Sequence, residues 1–404
     1  MTLRRTPQDF RVFEVPSKGY IEALSTQASR EHPHAVYELR KTSLSTPEAL
    51  GFLCRELRTK AGSIDYAGLK DKHAETVQLI SVCAQSGKHA AELPQEVQLE
   101  RCGARRIGWS SEPMSAESIV GNRFELVVRD LTRADVRSMQ DRAEAFRLRD
   151  LFVLINYFGD QRFGSIRHGK GFAAASLIRG DFDNALRLLI GTPARKDVGK
   201  TRDFTRLCAA HWGDWRKLAT ELPRTPERKA IEALARGANA KEAFTHLPYF
   251  LQTMCVEAFQ SHLWNKTVLH MIRELGASGA AVYETQGLFD LNLFPEARRV
   301  PESWHALNIP VLAHNSELTP PWDRCAEQAL NEEELTLKQL KIPGLRRPYF
   351  GEAMRPLLVS IPDFALSEPT KDELARETGR VKVLSTFTLP RGAYATVVMR
   401  ALGR

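Results

Sequence analysis

The chain has 404 residues, 43% hydrophobic and 26% charged, which supplies enough apolar material for real cores and excludes a disordered composition. That length exceeds one usual core, so two domains, or one domain carrying a large insertion, are expected. Lys and Arg number 57 against 49 Asp and Glu, a net charge of +8, a balance that favours phosphate-bearing partners without identifying one.

The first part of the chain alternates strands and helices. "FRVFEV" (10–15) and "AVYELRK" (35–41) alternate like half-buried strands. "TPEALGFLCRELRT" predicts a helix with Thr46 as N-cap, Pro47 at the first helical position and Glu48 at the positive dipole end. "SIDYAGL" leads into "YAGLKDKHAETVQ" (66–78), "TVQLISVCA" reads as the strand leaving it, and "NRFELVVRDL" (122–131) is a further strand rich in β-branched and aromatic residues. A mixed α+β sheet follows. After about residue 151 helices dominate: "FAAASLIRGDFDNALRLLI", then "TPERKAIEALARG" with Thr225 and Pro226 at its start and Gly237 at its stop, then a long helix over about 248–276. Near residue 356 the strand signature returns. "RPLLVSIPDF" and "VKVLSTFTLPRGAYATVVMRAL" read as strands around a Pro-Arg-Gly turn, so the tail is expected to rejoin the first sheet.

Six scattered cysteines, with no C-x-x-C pair, argue for neither zinc nor a disulfide frame. The start "MTLRRTPQDF" lacks an apolar segment and no later stretch reaches the length of a membrane span, so a reduced, cytoplasmic protein away from membranes is expected. G-x-S-x-G, P-loop, H-E-x-x-H and G-x-G-x-x-G signatures are absent from the sequence, leaving cofactor-free chemistry or binding. Asp71, between Lys70 and Lys72 at a strand end, would feel a positive potential that keeps a carboxylate charged and available as a nucleophile. A solvated turn has the same composition. His73 reads equally as a hydrogen-bonding residue, and Glu75 as a second acid of uncertain placement.

The motifs together resemble one family. "YAGLKDKHAETVQ" is similar to the signature of the TruD family of tRNA pseudouridine synthases, through Gly68, Lys70, Asp71, Ala74, Thr76 and Gln78. "NYFGDQRFG" (156–164) resembles its second hallmark. "PQDFRVFEV" resembles its N-terminal strand, with Gln8 in place of glutamate, while "GNRF" (121–124) and "LPRGAYATVVMR" (389–400) resemble its substrate-facing segments. "FQSHLWN" (259–265) is similar to a family helix, with Trp264 where phenylalanine is commoner, and little aligns over about 277–341.

The resemblance implies a pseudouridine synthase catalytic domain from both chain ends (1–152 and 360–404), with a mixed, mostly antiparallel sheet, and an inserted helix-rich TRUD domain (153–359). It implies isomerisation of a tRNA uridine, position 13 of the D arm in the family, with no metal or organic cofactor and no obligatory protein partner, the chain acting as a monomer. Asp71 is the implied nucleophile, attacking ribose C1′ or uracil C6. Lys70 or Lys72 is expected to hold Asp71 ionised, and Thr76 and Gln78 to brace the loop. Phe10, Asn122 and Tyr394 are implied substrate contacts, with Phe124 stacking on the base or ribose; each also has a plain reading as a core or turn residue. Arg4, Arg5, Arg105 and Arg106 are phosphate candidates, and the basic stretch 195–229, interleaved with Phe204, Trp212 and Trp215, is either an RNA-facing surface or an ordinary solvated one. The same chemistry at another RNA position and a catalytically silent RNA-binding member are the competing readings.

Overall fold

Buried Phe10, Val12 and Glu14 alternate with more exposed neighbours and make strand β1 (Phe10–Pro16) two-faced. The computed structural model describes residues 4–84, 90, 92–166, 168–195, 197–287 and 291–403. In it, β1 lies inside a ten-stranded sheet. The other members used below are β2 (His34–Thr42), β3 (Ile64–Tyr66), β4 (Glu75–Cys83), β5 (Glu96–Gln98), β6 (Cys102–Ser110) and β7 (Ile119–Leu131). From one edge the order runs Ala365–Leu366, Val381–Pro390, β7, β1, β4, β2, β6, β5, with Thr370–Lys371 beside Val381–Pro390 and β3 beside β4. Only the β1–β4 pairing is parallel among those described in this sheet.

Two helices open this part of the chain, α1 (Lys18–Glu22) and α2 (Thr46–Glu56). Ala49, Leu50 and Leu53 of α2 pack on Tyr37 and Leu39 of β2 and Ile80 and Val82 of β4, all almost wholly buried. Each large apolar side chain buried there contributes about 1.5–3 kcal/mol. The N-cap of α2 is Ser45, not Thr46: its hydroxyl accepts the Glu48 N–H while Glu48 reaches back to the Ser45 N–H at 2.7 Å. Thr46 is therefore the first helical residue, with its hydroxyl free to leave the helix.

The chain divides into two compact units. The first holds residues up to Val153, Ser360–Ala395 and Gly403; the second holds Leu154–Val359 and Thr396–Leu402. The second is built along the Tyr249–Ala277 helix, whose side chains from Phe259 to Asn265 are all buried. Asn265 exchanges two hydrogen bonds with the backbone of Phe158, and Arg355 donates to both the backbone and side-chain oxygens of Asn156, so the 156–164 motif is tied down by side chains remote in sequence.

Three local expectations need correction. "YATVVMRAL" forms a helix, Ala395–Ala401, rather than a strand, because a short apolar run buried on nearly all sides carries no usable period. The "TPERKAIEALARG" helix begins at Arg228, with Glu227 at the N-cap position, since Thr225 and Pro226 are spent in the preceding turn. The "FAAASLIRGDFDNALRLLI" stretch breaks at Gly180, whose φ of +78° ends one helix before Asp181 caps the next.

Arg129 of β7 is buried between Asp9 and Asp372, with guanidinium contacts of 2.8 Å to each. Arg129→Met leaves two buried carboxylates without their cation, and should cost about 3–5 kcal/mol. The check is the denaturation midpoint of the full chain; an unchanged midpoint refutes the network's role.

Candidate active site

The loop between β3 and β4 has no ladder partner for its backbone, so side chains satisfy it. Thr46 Oγ1 donates to Gln78 Oε1 (2.8 Å) and accepts the Lys70 N–H (3.0 Å). Gln78, fully buried on β4, donates from Nε2 to the Gly68 carbonyl (3.2 Å). Lys41, 1% exposed at the end of β2, donates from Nζ to the carbonyls of Leu44 (2.6 Å) and Asp71 (3.0 Å). The loop is thus fixed at Gly68, Lys70 and Asp71.

The Asp71 carboxylate has two partners of its own. Oδ1 accepts the His73 N–H at 2.9 Å and Oδ2 meets the Arg4 guanidinium at 2.7 Å, yet the side chain keeps 20% exposure and can be reached from solvent. Lys70 and Lys72, expected to hold Asp71 ionised, are engaged elsewhere. Lys70 Nζ lies 2.5 Å from Glu14 in a buried ion pair, and Lys72 Nζ lies 2.7 Å from Glu48. The hydrogen bonds from Lys72 and Ser45 hold the Glu48 carboxyl down at about 2. Arg4 is the cation on Asp71, and the same guanidinium lies 4.0 Å from the Phe10 ring centre.

Strand register explains which other residues share this face. Lys41 pairs with Thr76, Val12 with both Thr76 and Phe124, and Phe124 with Phe387. One step along, Glu14 faces Asn122, which faces Leu389. Phe10 and Phe124 meet edge to face at 6.3 Å, and Phe124 stacks on Phe387 at 5.5 Å, giving a continuous aromatic wall. Asn122 Oδ1 and Thr76 Oγ1 are buried with no hydrogen-bond partner among the described residues. Tyr394 is half-buried just after the turn at Gly392, whose φ is +82°.

Sequence reasoning missed Lys41, Glu14 and Phe387 and named Thr46 only as a cap. Lys41 and Glu14 did leave a signal: each is a charged residue at an inward position of an alternating strand. Of the phosphate candidates, Arg106 is engaged with the Leu93 carbonyl (2.8 Å) and the Trp109 ring, while Arg105 is exposed. In the 195–229 stretch Phe204 is buried in the helical core, while Trp212 and Trp215 pack edge to face at 5.0 Å and stay partly exposed. Among the described residues no three His, Cys, Asp or Glu side chains gather as a metal site, and no helix is long and apolar enough to cross a membrane.

The family model described as tRNA pseudouridine synthase D (TruD) matches residues 1–402. A tRNA pseudouridine synthase D of Aquifex aeolicus is 28% identical over 98% of this chain and 98% of its own length. One from Leptospira interrogans is 26% identical over 99% of this chain and 95% of its own. A crystal structure of a Methanosarcina mazei TruD protein superposes with a TM-score of 0.70 at 22% identity, covering 99% of this chain and 92% of the other, a likeness of fold.

Burial pushes the Lys41 ammonium down from 10.5 to about 8, against the opposing pull of the Asp71 charge. Between those values the unfolded chain holds a proton that the folded chain has released, so folding gains stability as pH rises. Relative to Lys41→Met, the native protein should gain about 2 kcal/mol between pH 8 and pH 10. Paired urea titrations at the two pH values measure it, and parallel behaviour of both proteins counts against the assignment.

Proposed function

The chain belongs to the tRNA pseudouridine synthase D (TruD) family, and on that premise we propose that it converts a uridine of tRNA into pseudouridine, with Asp71 as the nucleophile. The observation that carries this reading is the placement of Arg4, which touches the Asp71 carboxylate at 2.7 Å and lies over Phe10 at 4.0 Å. A charged nucleophile is thereby joined through one cation to the aromatic wall. That pairing suits a flipped pyrimidine, which needs a stacking surface and hydrogen bonds to its edge.

In this reading the base leaves its stack and lies against Phe10 and Phe124. Asn122, partly exposed with its Oδ1 buried and without a partner among the described residues, supplies an acceptor and donors to the uracil edge. Asp71 attacks C1′ or C6, the C1′–N1 bond breaks, the base turns, and C5 bonds to C1′; the bond to Asp71 breaks again, C5 loses its proton and N1 gains one, so the carboxylate is regenerated. Phe124 carries no base, so it stacks while another group takes the C5 proton. Arg4 and the His73 N–H hold the Asp71 carboxylate and aim it. Lys70, Lys72 and Gln78 support the loop through Glu14, Glu48 and Gly68. The family resemblance favours position 13 in the D arm as the target, with Tyr394 as a further substrate contact. The same resemblance makes the first unit the catalytic domain and the second the TRUD insertion.

Incubation with an unmodified tRNA transcript, followed by carbodiimide treatment and primer extension, should reveal pseudouridine at position 13. Asp71→Asn should lower the rate about 10³-fold or more while the tRNA still binds. Equal product from Asp71→Asn, or none from the native protein, overturns the catalytic reading; product elsewhere in the tRNA moves only the target. Asn122→Ala should lower turnover about tenfold with tRNA affinity nearly intact, since backbone contacts supply most affinity. Undiminished turnover removes Asn122 from the site.

A further inference from the structure

The second unit contains a cavity of about 130 Å³ that the chemistry at Asp71 does not use. Leu189, Phe204, Leu251 and Met254 line it, and the hydroxyl-bearing side chains of Ser165 and Thr225 face it. Both hydroxyl oxygens are buried without a hydrogen-bond partner among the described residues, and Ser165 is only 9% exposed. A buried hydroxyl without a partner is costly, and a ligand that pairs with it recovers that cost. Gly164, the last residue of "NYFGDQRFG", lines the same cavity. The anchoring of Asn156 and Phe158 by Arg355 and Asn265 therefore holds the segment that delivers Gly164 and Ser165 to it.

The exposed chain neighbours of the lining residues indicate what the cavity accepts. Val198 and Phe250 are 73% and 72% exposed, and they adjoin the lining residues Asp197 and Leu251 in the chain. Exposed Arg195, Lys200, Arg202 and Arg224 adjoin the lining residues Ala194, Thr201 and Thr225. Inside, Asp197 Oδ2 accepts from the Ala194 N–H (3.0 Å) and the Thr205 hydroxyl (3.1 Å), so the wall carries a carboxylate. A carboxylate disfavours a phosphate on the floor and suits the N–H groups of a base. Apolar walls, hydroxyls within, an exposed aromatic and cations outside match one nucleotide, with base inside and backbone on the rim.

We propose that this cavity receives an unstacked nucleotide of the RNA substrate, a second base-binding site distinct from the one at Asp71. The inference rests on the reading that the substrate is tRNA. It gives the exposed cations of the 195–224 stretch a role.

Filter binding of an unmodified tRNA transcript tests it, comparing the native protein with Phe250→Ala and with the Ser165→Ala/Thr225→Val double variant. Each should weaken affinity about tenfold. A transcript carrying 4-thiouridine should crosslink to the peptide containing Phe250 and Met254. The double variant could unfold, so its melting temperature is measured alongside; Phe250 is a surface residue, and its variant decides the matter in that case. Native affinity in Phe250→Ala, or crosslinks confined to the first unit, overturns the proposal. Binding and crosslinking are read without turnover. Cavity-dependent binding of a tRNA that is never isomerised therefore refutes the catalytic reading alone, while normal isomerisation with undiminished variant affinity refutes the second site alone.

Discussion

The buried ion pair between Lys70 and Glu14, 2.5 Å long with side chains 8% and 1% exposed, is the contact on which the geometry around Asp71 depends. Strands β1 and β4 pair in parallel only from Arg11 opposite Glu75 to Phe13 opposite Val77. Beyond that point β4 still has an N–H to satisfy, and Glu14 Oε2 accepts it from Leu79 at 2.8 Å. The other carboxylate oxygen takes Lys70. One side chain therefore completes the sheet and anchors the loop, and the next residue along is Asp71. A buried pair of this kind adds little net stability, because desolvating two ions offsets most of their attraction. Its effect is on register: the observed alignment places the Glu14 carboxylate against both the Leu79 N–H and Lys70.

The electrostatics around Asp71 follow from that arrangement. Two lysines flank it in sequence, and each has its own carboxylate, Glu14 for Lys70 and Glu48 for Lys72. Asp71 is left with Arg4 at its carboxylate and Lys41 at its carbonyl. These contacts divide the work. Lys41 is buried and sets where the backbone lies, whereas Arg4, with a side chain 32% exposed, retains access to solvent. Four cations and three carboxylates thus hold the loop against β1, β2 and α2.

Much of this was legible in sequence where a period separates two faces. β1, β2 and β7 alternate because one face meets a core and the other is more open, and the 248–276 helix is long enough for its spacing to be unambiguous. Asp71 stood out through its motif rather than its charges, and the structure explains why charge alone was uninformative: the adjacent lysines serve other acids. The contacts that were missed join residues distant in the chain. Phe387 joins Phe124 only through the pairing of Val381–Pro390 with β7, and Arg4 reaches Asp71 across the parallel β1–β4 contact, neither of which local spacing encodes. Thr46 and Thr225 failed for a subtler reason. A threonine before a proline fits a helix start, but the capping serine one residue earlier, or a turn one step later, decides where the helix begins.

The two motif segments solve the same physical problem in the same way, although they lie in different units. An irregular segment that must present particular side chains cannot rely on a ladder for its backbone groups, and leaving them unpaired is expensive when buried. Amide side chains on rigid elements supply the missing partners: Gln78 on a strand for Gly68, and Asn265 on the long helix for Phe158. An amide offers donor and acceptor at once, so one residue can fix both position and orientation of a peptide unit. Asn265 does this fully, exchanging both bonds with Phe158, while Gln78 divides its two bonds between Gly68 and Thr46 and so couples the loop to α2. Substituting either amide by an isosteric acid would keep the shape and lose the donor, freeing the backbone carbonyl it serves. Gln78 and Asn265 are thus supports that fix the irregular segments beside them.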